Sequence, residues 1–209
     1  MKDIQDESVF PKERLAALCD GIFAITMTLM ILDLKAPGNI PKNLINEELP
    51  GALYNLLPAF EAYIVSFIVL AIFWARHQLQ FSFFNSVNRI ILMINVIFLF
   101  MIGFVPFTVG LKVDYPESQF AFLIYLGNLF GITILLSLQW GYSVKNKLII
   151  NNELDHYLKK RFFLMSIIPI LVFTLSFIVS FIHLRLAFLF IYLIPILYTI
   201  SKKFVRENN

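Results

Sequence analysis

The chain has 209 residues, 59% of them hydrophobic and only 15% charged, with 23 Phe and a mean hydropathy of +0.77. A soluble domain of this size must present far more charge to water, so a water-soluble globular domain is excluded. The net charge of +3 is accounted for below by membrane topology rather than by nucleic-acid binding, and the single Cys19 excludes an intramolecular disulfide.

The N-terminal MKDIQDESVFPKER mixes both signs of charge and lacks the basic-then-apolar layout of a cleaved signal. The first apolar run ends in LDLKAP rather than at a small-residue cleavage site, so a retained helix is expected. Apolar runs close to the length that crosses about 30 Å of hydrocarbon follow one another along the chain. Six candidate spans result, at 15–34, 59–76, 89–111, 119–143, 162–183 and 185–201. Most carry Tyr or Trp near an end, as interfacial anchors do. Pro106, Pro169 and Pro195 fall inside or near the ends of spans and are expected to kink rather than break them, because neighbouring helices can re-satisfy the freed carbonyls. The expected fold is all-α, with six transmembrane helices per chain. It divides into an N-terminal segment 1–14, a six-helix repeat 15–204 and a tail 205–209.

Thirteen of the seventeen Lys and Arg, among them Arg14, Arg76, Arg89, Lys145, Lys159, Lys160 and Arg161, fall on one set of alternate connections, and four (Lys35, Lys42, Lys112, Arg185) on the other. The positive-inside rule then puts both termini in the cytoplasm, and a five- or seven-span reading would break the separation. The outer connection after the first span, KAPGNIPKNLINEELPGALYNLLP, is expected to hold a short interfacial helix with Leu44, Ile45 and Leu49 as its buried side. Glu47 and Glu48 there read as a solvated face more readily than as a cation-gathering mouth. In the inner connection VKNKLIINNELDHYLKKRF, Ile150, Leu154, Tyr157 and Leu158 recur at helical spacing, beside a basic cluster suited to anionic lipid.

Ionisable groups inside spans are costly and need a partner or a water-filled cavity. Asp20 in the first span and His77 at the inner end of the second both lie near the inner face. Asp20 stands about 9 Å along the helix from Arg14, and Trp74 one turn before His77. These four residues are expected to form a polar cluster, either a latch or a tie between two helices. Glu61 follows Pro58 closely and belongs in the first turn of the second span, where the helix dipole favours a carboxylate. Asn88, Asn95 and Asn128 read as interhelical hydrogen-bonding groups. His183 and Arg185 fall in a tight outer turn. No Cys/His spacing suggests a metal site, no Gly-rich phosphate loop is present, and no nucleophile has an evident base, so neither an enzyme nor a bound cofactor is expected.

In the first span, RLAALCDGIFAITMTLMILDLKAP, the residues Ile25, Thr28, Leu29 and Leu32 fall at i, i+3, i+4 and i+7 on one stripe. Periodicity alone favours ordinary packing over a pore lining. The same segment, with Arg14, Asp20, then Gly-Ile-Phe-Ala-Ile and Thr-Leu-x-Ile-Leu-Asp-Leu, resembles the signature of the transmembrane protein 175 family of potassium channels. Leu18 and Cys19 stand where that family usually has Phe and Ser. FWARHQLQF resembles the family's Trp-x-x-His through Trp74 and His77, and NRIILMINVIFLFMIGFVPF has a family-like Asn start and Pro-Phe ending.

The resemblance implies a channel selective for potassium, with weak discrimination and without a carbonyl filter. It further implies a prokaryotic single-repeat form in the plasma membrane, assembled as a homotetramer with the first helix of each subunit lining the pore at the symmetry axis. By the same resemblance Ile25 matches the constriction, Thr28 a polar ring near which potassium would pass, and Leu29 and Leu32 further apolar rings. Arg14, Asp20, Trp74 and His77 match a network supporting the pore helix. Read from the residues alone, a secondary transporter and a non-conducting scaffold remain rivals. The former would favour a charged or broken-helix site near the midplane, and the chain shows no strongly charged mid-span residue. Beyond itself, the chain's expected partners are membrane lipid and potassium ions.

Overall fold

The computed structural model describes residues 11–38, 40–149 and 156–207, with side chains described for all of these except 33, 156–161 and 201–207. Among the described residues the chain is helical: α1 (Lys12–Leu29), running into a 3-10 turn at Met30–Asp33, α2 (Ile45–Asn55), α3 (Leu57–Ser82), α4 (Arg89–Gly103), α5 (Val105–Asp114), α6 (Gln119–Lys145), α7 (His156–Ser180), α8 (Leu184–Phe190) and α9 (Leu193–Glu207). Five stretches are long and apolar enough to cross a membrane: Lys12–Leu32, Leu57–Ser82, Arg89–Asp114, Gln119–Lys145 and Phe162–Ser180. The sixth expected span corresponds to Leu184–Ile200, a shorter apolar stretch of about 25 Å at 1.5 Å per residue, kinked between α8 and α9.

The prolines explain where helices bend. A helical proline lacks the N–H that the carbonyl four residues earlier expects, and its ring presses on that carbonyl. Pro106 acts so on Ile102, and α4 ends at Gly103 before α5 resumes at Val105. Pro195 acts so on Ile191, and the chain passes from α8 to α9 through Ile191 and Tyr192, tightened by i→i+3 bonds such as Ile194 N–H to Ile191 O (3.1 Å). The backbone stays in the helical region at Phe104 and Ile191, and Arg89–Asp114 and Leu184–Ile200 each continue as one apolar helix, so these two prolines kink rather than break their helices, as expected. Pro169 lies within a continuous α7.

A large core holds the bundle together, drawing Phe23 from α1, Val69 and Phe73 from α3, Phe98 and Ile102 from α4, Phe122 and Leu129 from α6, Phe173 from α7, and Phe188 and Ile191 from the α8 region, and a smaller cluster of Leu15, Phe81, Phe84, Val87 and Ile91 lies apart from it. Gly131 of α6 sits where any Cβ would run into the Met101 methyl group of α4, so its bare backbone permits that close approach. Polar ties recur between helices: Ser66 with Tyr125 (3.0 Å), Asn88 Nδ2 to Tyr142 Oη (3.0 Å), Asn128 Nδ2 to Thr108 Oγ1 (3.4 Å), and Ser176 Oγ to Ala187 O (2.7 Å). Asn88 also caps α4 by accepting from Ile91 N–H.

The alternation of connections is visible in the geometry. Lys12 Nζ donates to Phe84 O (2.8 Å), Asn85 N–H to Leu148 O (2.8 Å), and Phe84 bridges Ile149, so the start of α1 and the α3–α4 and α6–α7 connections gather at one end of the bundle. At the opposite end Tyr192 Oη donates to Glu61 Oε1 (2.9 Å); α3 begins at Leu57, so Glu61 lies just past the first turn in which it was expected, and no acidic residue occupies that turn. The expected helix in the first long connection is present as α2, yet none of its residues is buried, and Ile45 is exposed while Leu44 and Leu49 are half-buried. In the α6–α7 connection, Ile150 and Leu154 lie outside the described residues, as do the side chains of Tyr157, Leu158, Lys159, Lys160 and Arg161.

Candidate functional site

Helix α1 has two unlike faces. Leu15, Cys19, Phe23, Thr26 and Met30 recur at spacings of three and four and are buried against the core. The opposite side is bare. Ile25 is 59% exposed, Leu29 45% and Leu32 68%, and Thr28 is exposed between them. An apolar stripe left uncovered on a helix whose other side is fully packed is a surface still seeking a medium or a partner. Leu18, 51% exposed, continues the stripe toward the start of the helix, and exposed Gly21 lies on the same side. Thr28 Oγ1 lies 2.9 Å from both Ala24 O and Ile25 O. Its hydroxyl proton therefore points back into the helix, and the oxygen's lone pairs are left for whatever faces the stripe.

The polar residues behind and beside α1 divide into two groups rather than the one cluster expected. Asp20, exposed, accepts from Trp74 Nε1 (2.7 Å) and from Gln78 Nε2. His77 turns the other way into the interior, where Asn95 Oδ1 receives its Nε2 (2.9 Å). Because an amide oxygen only accepts, His77 carries its proton on Nε2. Asn95 Oδ1 also accepts from Gln139 Nε2 (3.3 Å), and Asn95 Nδ2 donates to Cys19 Sγ (3.1 Å). His77 is stacked between Phe98 (centroids 5.2 Å, planes 3° apart) and Phe81 (4.2 Å). This buried junction ties α1, α3, α4 and α6 through one asparagine. Arg14 joins neither group: it is exposed, and its side chain forms no hydrogen bond or ion pair among the described residues. The expected foursome does not meet because Trp74 and Gln78, four residues apart, project to one side of α3 toward Asp20, whereas His77, round the helix from both, is fully buried against Asn95.

Sequence reasoning treated Arg76 as a connection charge. Helix α3 instead runs on to Ser82, and Arg76 is fully buried. Its guanidinium donates to Met165 O (2.9 Å), Ser166 Oγ (2.8 Å) and Ser137 Oγ (3.1 Å), with Tyr198 beside it. Met165 lies four residues before Pro169, so its carbonyl has no helical N–H to accept from. Arg76 and Tyr198 Oη (2.5 Å) supply the missing donors. The signal was available in the spacing of Pro169, though not the identity of the donor. The asparagines were read correctly as interhelical groups. Gln78 and Gln139 were missed, since nothing in WARHQLQF marks Gln78 above Gln80 and nothing in LLSLQWGY singles out Gln139.

Among known proteins, residues 14–106 match the family model described as "Endosomal/lysosomal potassium channel TMEM175". A potassium channel of Streptomyces collinus is 34% identical over 110 residues, covering 51% of this chain, and the match spans only half of that relative's length. A potassium channel of Chryseobacterium sp. (strain P1-3) is 29% identical over 202 residues, 94% of this chain and 97% of that one. The crystal structure of a lysosomal potassium-selective channel TMEM175 homolog from Chamaesiphon minutus superposes with a TM-score of 0.76 at 25% identity, covering 90% of this chain and 96% of the other.

Proposed function

We propose that this chain, an integral membrane protein, belongs to the TMEM175 family in the form of its bacterial relatives and is a potassium channel whose pore is lined by α1. The supporting observation is the uncovered stripe of Ile25, Thr28, Leu29 and Leu32 on a helix that is otherwise packed. One such stripe cannot surround an ion. Four copies about a closed rotation axis would bring four identical stripes together, and isologous or open assemblies would not. The pore then has a ring of Ile25 at its narrowest point. A narrow apolar ring blocks conduction by dewetting, and a slightly wider one passes a partly dehydrated cation.

Thr28 lies one turn from Ile25, and its hydroxyl proton is committed to the backbone. Four such oxygens present only lone pairs, which suits a cation and repels an anion. Leu29 and Leu32 continue the apolar wall. An apolar constriction of this kind discriminates only weakly between monovalent cations. The buried Asn95 junction and the Asp20–Trp74–Gln78 group hold α1 from behind and from the side, with Arg14 exposed at its foot. Both termini face the cytoplasm of a prokaryotic plasma membrane, in keeping with the distribution of Lys and Arg. Conduction needs no cofactor, and potassium is the permeant ion.

The test is planar-bilayer recording of the full chain under opposing potassium and sodium gradients. Discrete unitary currents that reverse toward the potassium potential are expected, and Ile25→Asn, which wets the ring, should raise conductance or lower selectivity. A saturable flux dependent on a second ion would replace the channel with a transporter, and an unchanged current in Ile25→Asn would remove Ile25 from the constriction. A stable monomer by mass measurement in mild detergent would sink the symmetric pore.

A further inference from the structure

At the end of the bundle where α3 begins and α5 ends, two adjoining cavities of about 660 and 410 Å³ share Asn55, Pro58, Glu61 and Arg185 in their walls. The smaller also carries Lys112 and Glu117. Two cations and two carboxylates thus line these adjoining cavities, yet they form no ion pair with one another among the described residues. Their neighbours explain why. Glu61 Oε1 is taken by the Tyr192 hydroxyl (2.9 Å). Lys112 Nζ donates to Pro116 O (2.6 Å) and stands 5.9 Å above the Phe188 ring. Arg185 has no hydrogen bond or ion pair among the described residues and is exposed into the opening.

We propose that this paired cavity binds the headgroup of a zwitterionic, amine-bearing phospholipid such as phosphatidylethanolamine, with its phosphate at Arg185 and its ammonium at Glu61. A simple anion entering the space would meet two carboxylates, and a simple cation would meet two basic groups. A molecule carrying both charges a few ångströms apart answers both, in charge-assisted hydrogen bonds. The guanidinium offers the forked donor geometry that suits a phosphate. The ammonium can use Glu61's second carboxylate oxygen and the Asn55 amide, which a quaternary amine could not, since it has no proton to donate. Below the charged walls the larger cavity opens onto Phe60 and Ile64, 40% and 50% exposed on the outer side of α3, where an acyl chain can lie. The site stands independently of the pore reading, because it uses none of the α1 stripe.

Native mass spectrometry of the full chain in mild detergent, titrated with phosphatidylethanolamine, phosphatidylglycerol of the same acyl chains, or inorganic phosphate, tests it. The wild type should retain phosphatidylethanolamine in preference to phosphatidylglycerol and should not retain phosphate alone. Losing one charge-assisted contact should lower phosphatidylethanolamine occupancy about tenfold in Arg185→Gln and in Glu61→Gln, while Glu61→Gln leaves phosphatidylglycerol retention undiminished. Arg185 has no partner to lose within the described chain, so its variant remains informative even if Glu61→Gln, which disturbs Tyr192, fails to fold. Equal retention of the two lipids, displacement by inorganic phosphate alone, or unchanged occupancy in Arg185→Gln would each overturn the proposal.

Discussion

The pairing of Arg76 with the carbonyl freed by Pro169 makes a prediction that can be worked through in energy. Arg76→Met removes three hydrogen bonds from a fully buried guanidinium. It leaves few groups stranded, because Ser137 and Ser166 already donate to Thr133 O (2.8 Å) and Phe162 O (3.0 Å), and Met165 O still receives Tyr198. An apolar side chain of similar length also removes the cost of burying the charge, so the single variant should lose only about 1–3 kcal/mol. Adding Tyr198→Phe strips Met165 O of both outside donors and should cost about 1–3 kcal/mol more, the penalty for a buried unsatisfied acceptor. The decisive background is Pro169→Ala. There residue 169 regains an N–H, α7 can satisfy Met165 O internally, and that second penalty should fall by about 1 kcal/mol or more. Equilibrium unfolding in mixed detergent, run as a cycle over the four combinations, measures the coupling. If the loss from Arg76→Met with Tyr198→Phe is the same with proline or alanine at 169, the carbonyl is not what Arg76 serves, and the account of its burial is wrong.

Asn95→Leu should destabilise the bundle by about 2–5 kcal/mol, taking three interhelical bonds at the roughly 0.6–1.7 kcal/mol each measured in membranes; an unchanged thermal midpoint in detergent would show that the junction is incidental. Thr28→Val keeps the β-branched shape and removes the oxygen, so potassium conductance should drop severalfold while Thr28→Ser retains it; equal currents in both would take the Thr28 oxygen out of the ion path. Trp74→Phe removes one bond to an exposed carboxylate that Gln78 still holds, so the loss should stay near about 1 kcal/mol. A denaturation shift several times larger would mean that Asp20 depends on the indole far more than the geometry implies.

Much of the fold is legible because bilayer length and hydropathy constrain it directly. Five of the six expected spans coincide with helices long and apolar enough to cross a membrane and the sixth with a shorter apolar helix, and the pairing of Asn85 with Leu148 brings together two connections that the Lys and Arg pattern had assigned to one side. What was illegible depends on tertiary partners. Three prolines look alike in sequence, yet Pro106 and Pro195 kink their helices and Pro169 lies within a continuous one. Among the described residues, outside donors for the freed carbonyl are on hand only at Pro169, from residues 89 and 33 positions away in the chain. Arg76 was misplaced for the same reason: WARHQLQF reads as the polar end of a span, and only the packing of α6, α7 and α9 makes it interior.

The candidate site shows the same division between pattern and partner. Periodicity put Ile25, Thr28, Leu29 and Leu32 on one side of α1 but could not tell a packed side from a bare one. That distinction rests on which stripe the other helices chose, and they chose Cys19, Phe23, Thr26 and Met30. Cys19, at a position where the family usually has Ser, lies on that packed side, where its sulfur accepts from Asn95. Leu18, at the position of the usual Phe, lies on the bare side. A thiol in place of a hydroxyl weakens the bond that seats α1 on the bundle, whereas Leu18 extends the stripe that would face the pore. The two departures therefore act on opposite faces of one helix: the first bears on how firmly α1 is held, the second on what an ion would meet at its inner end.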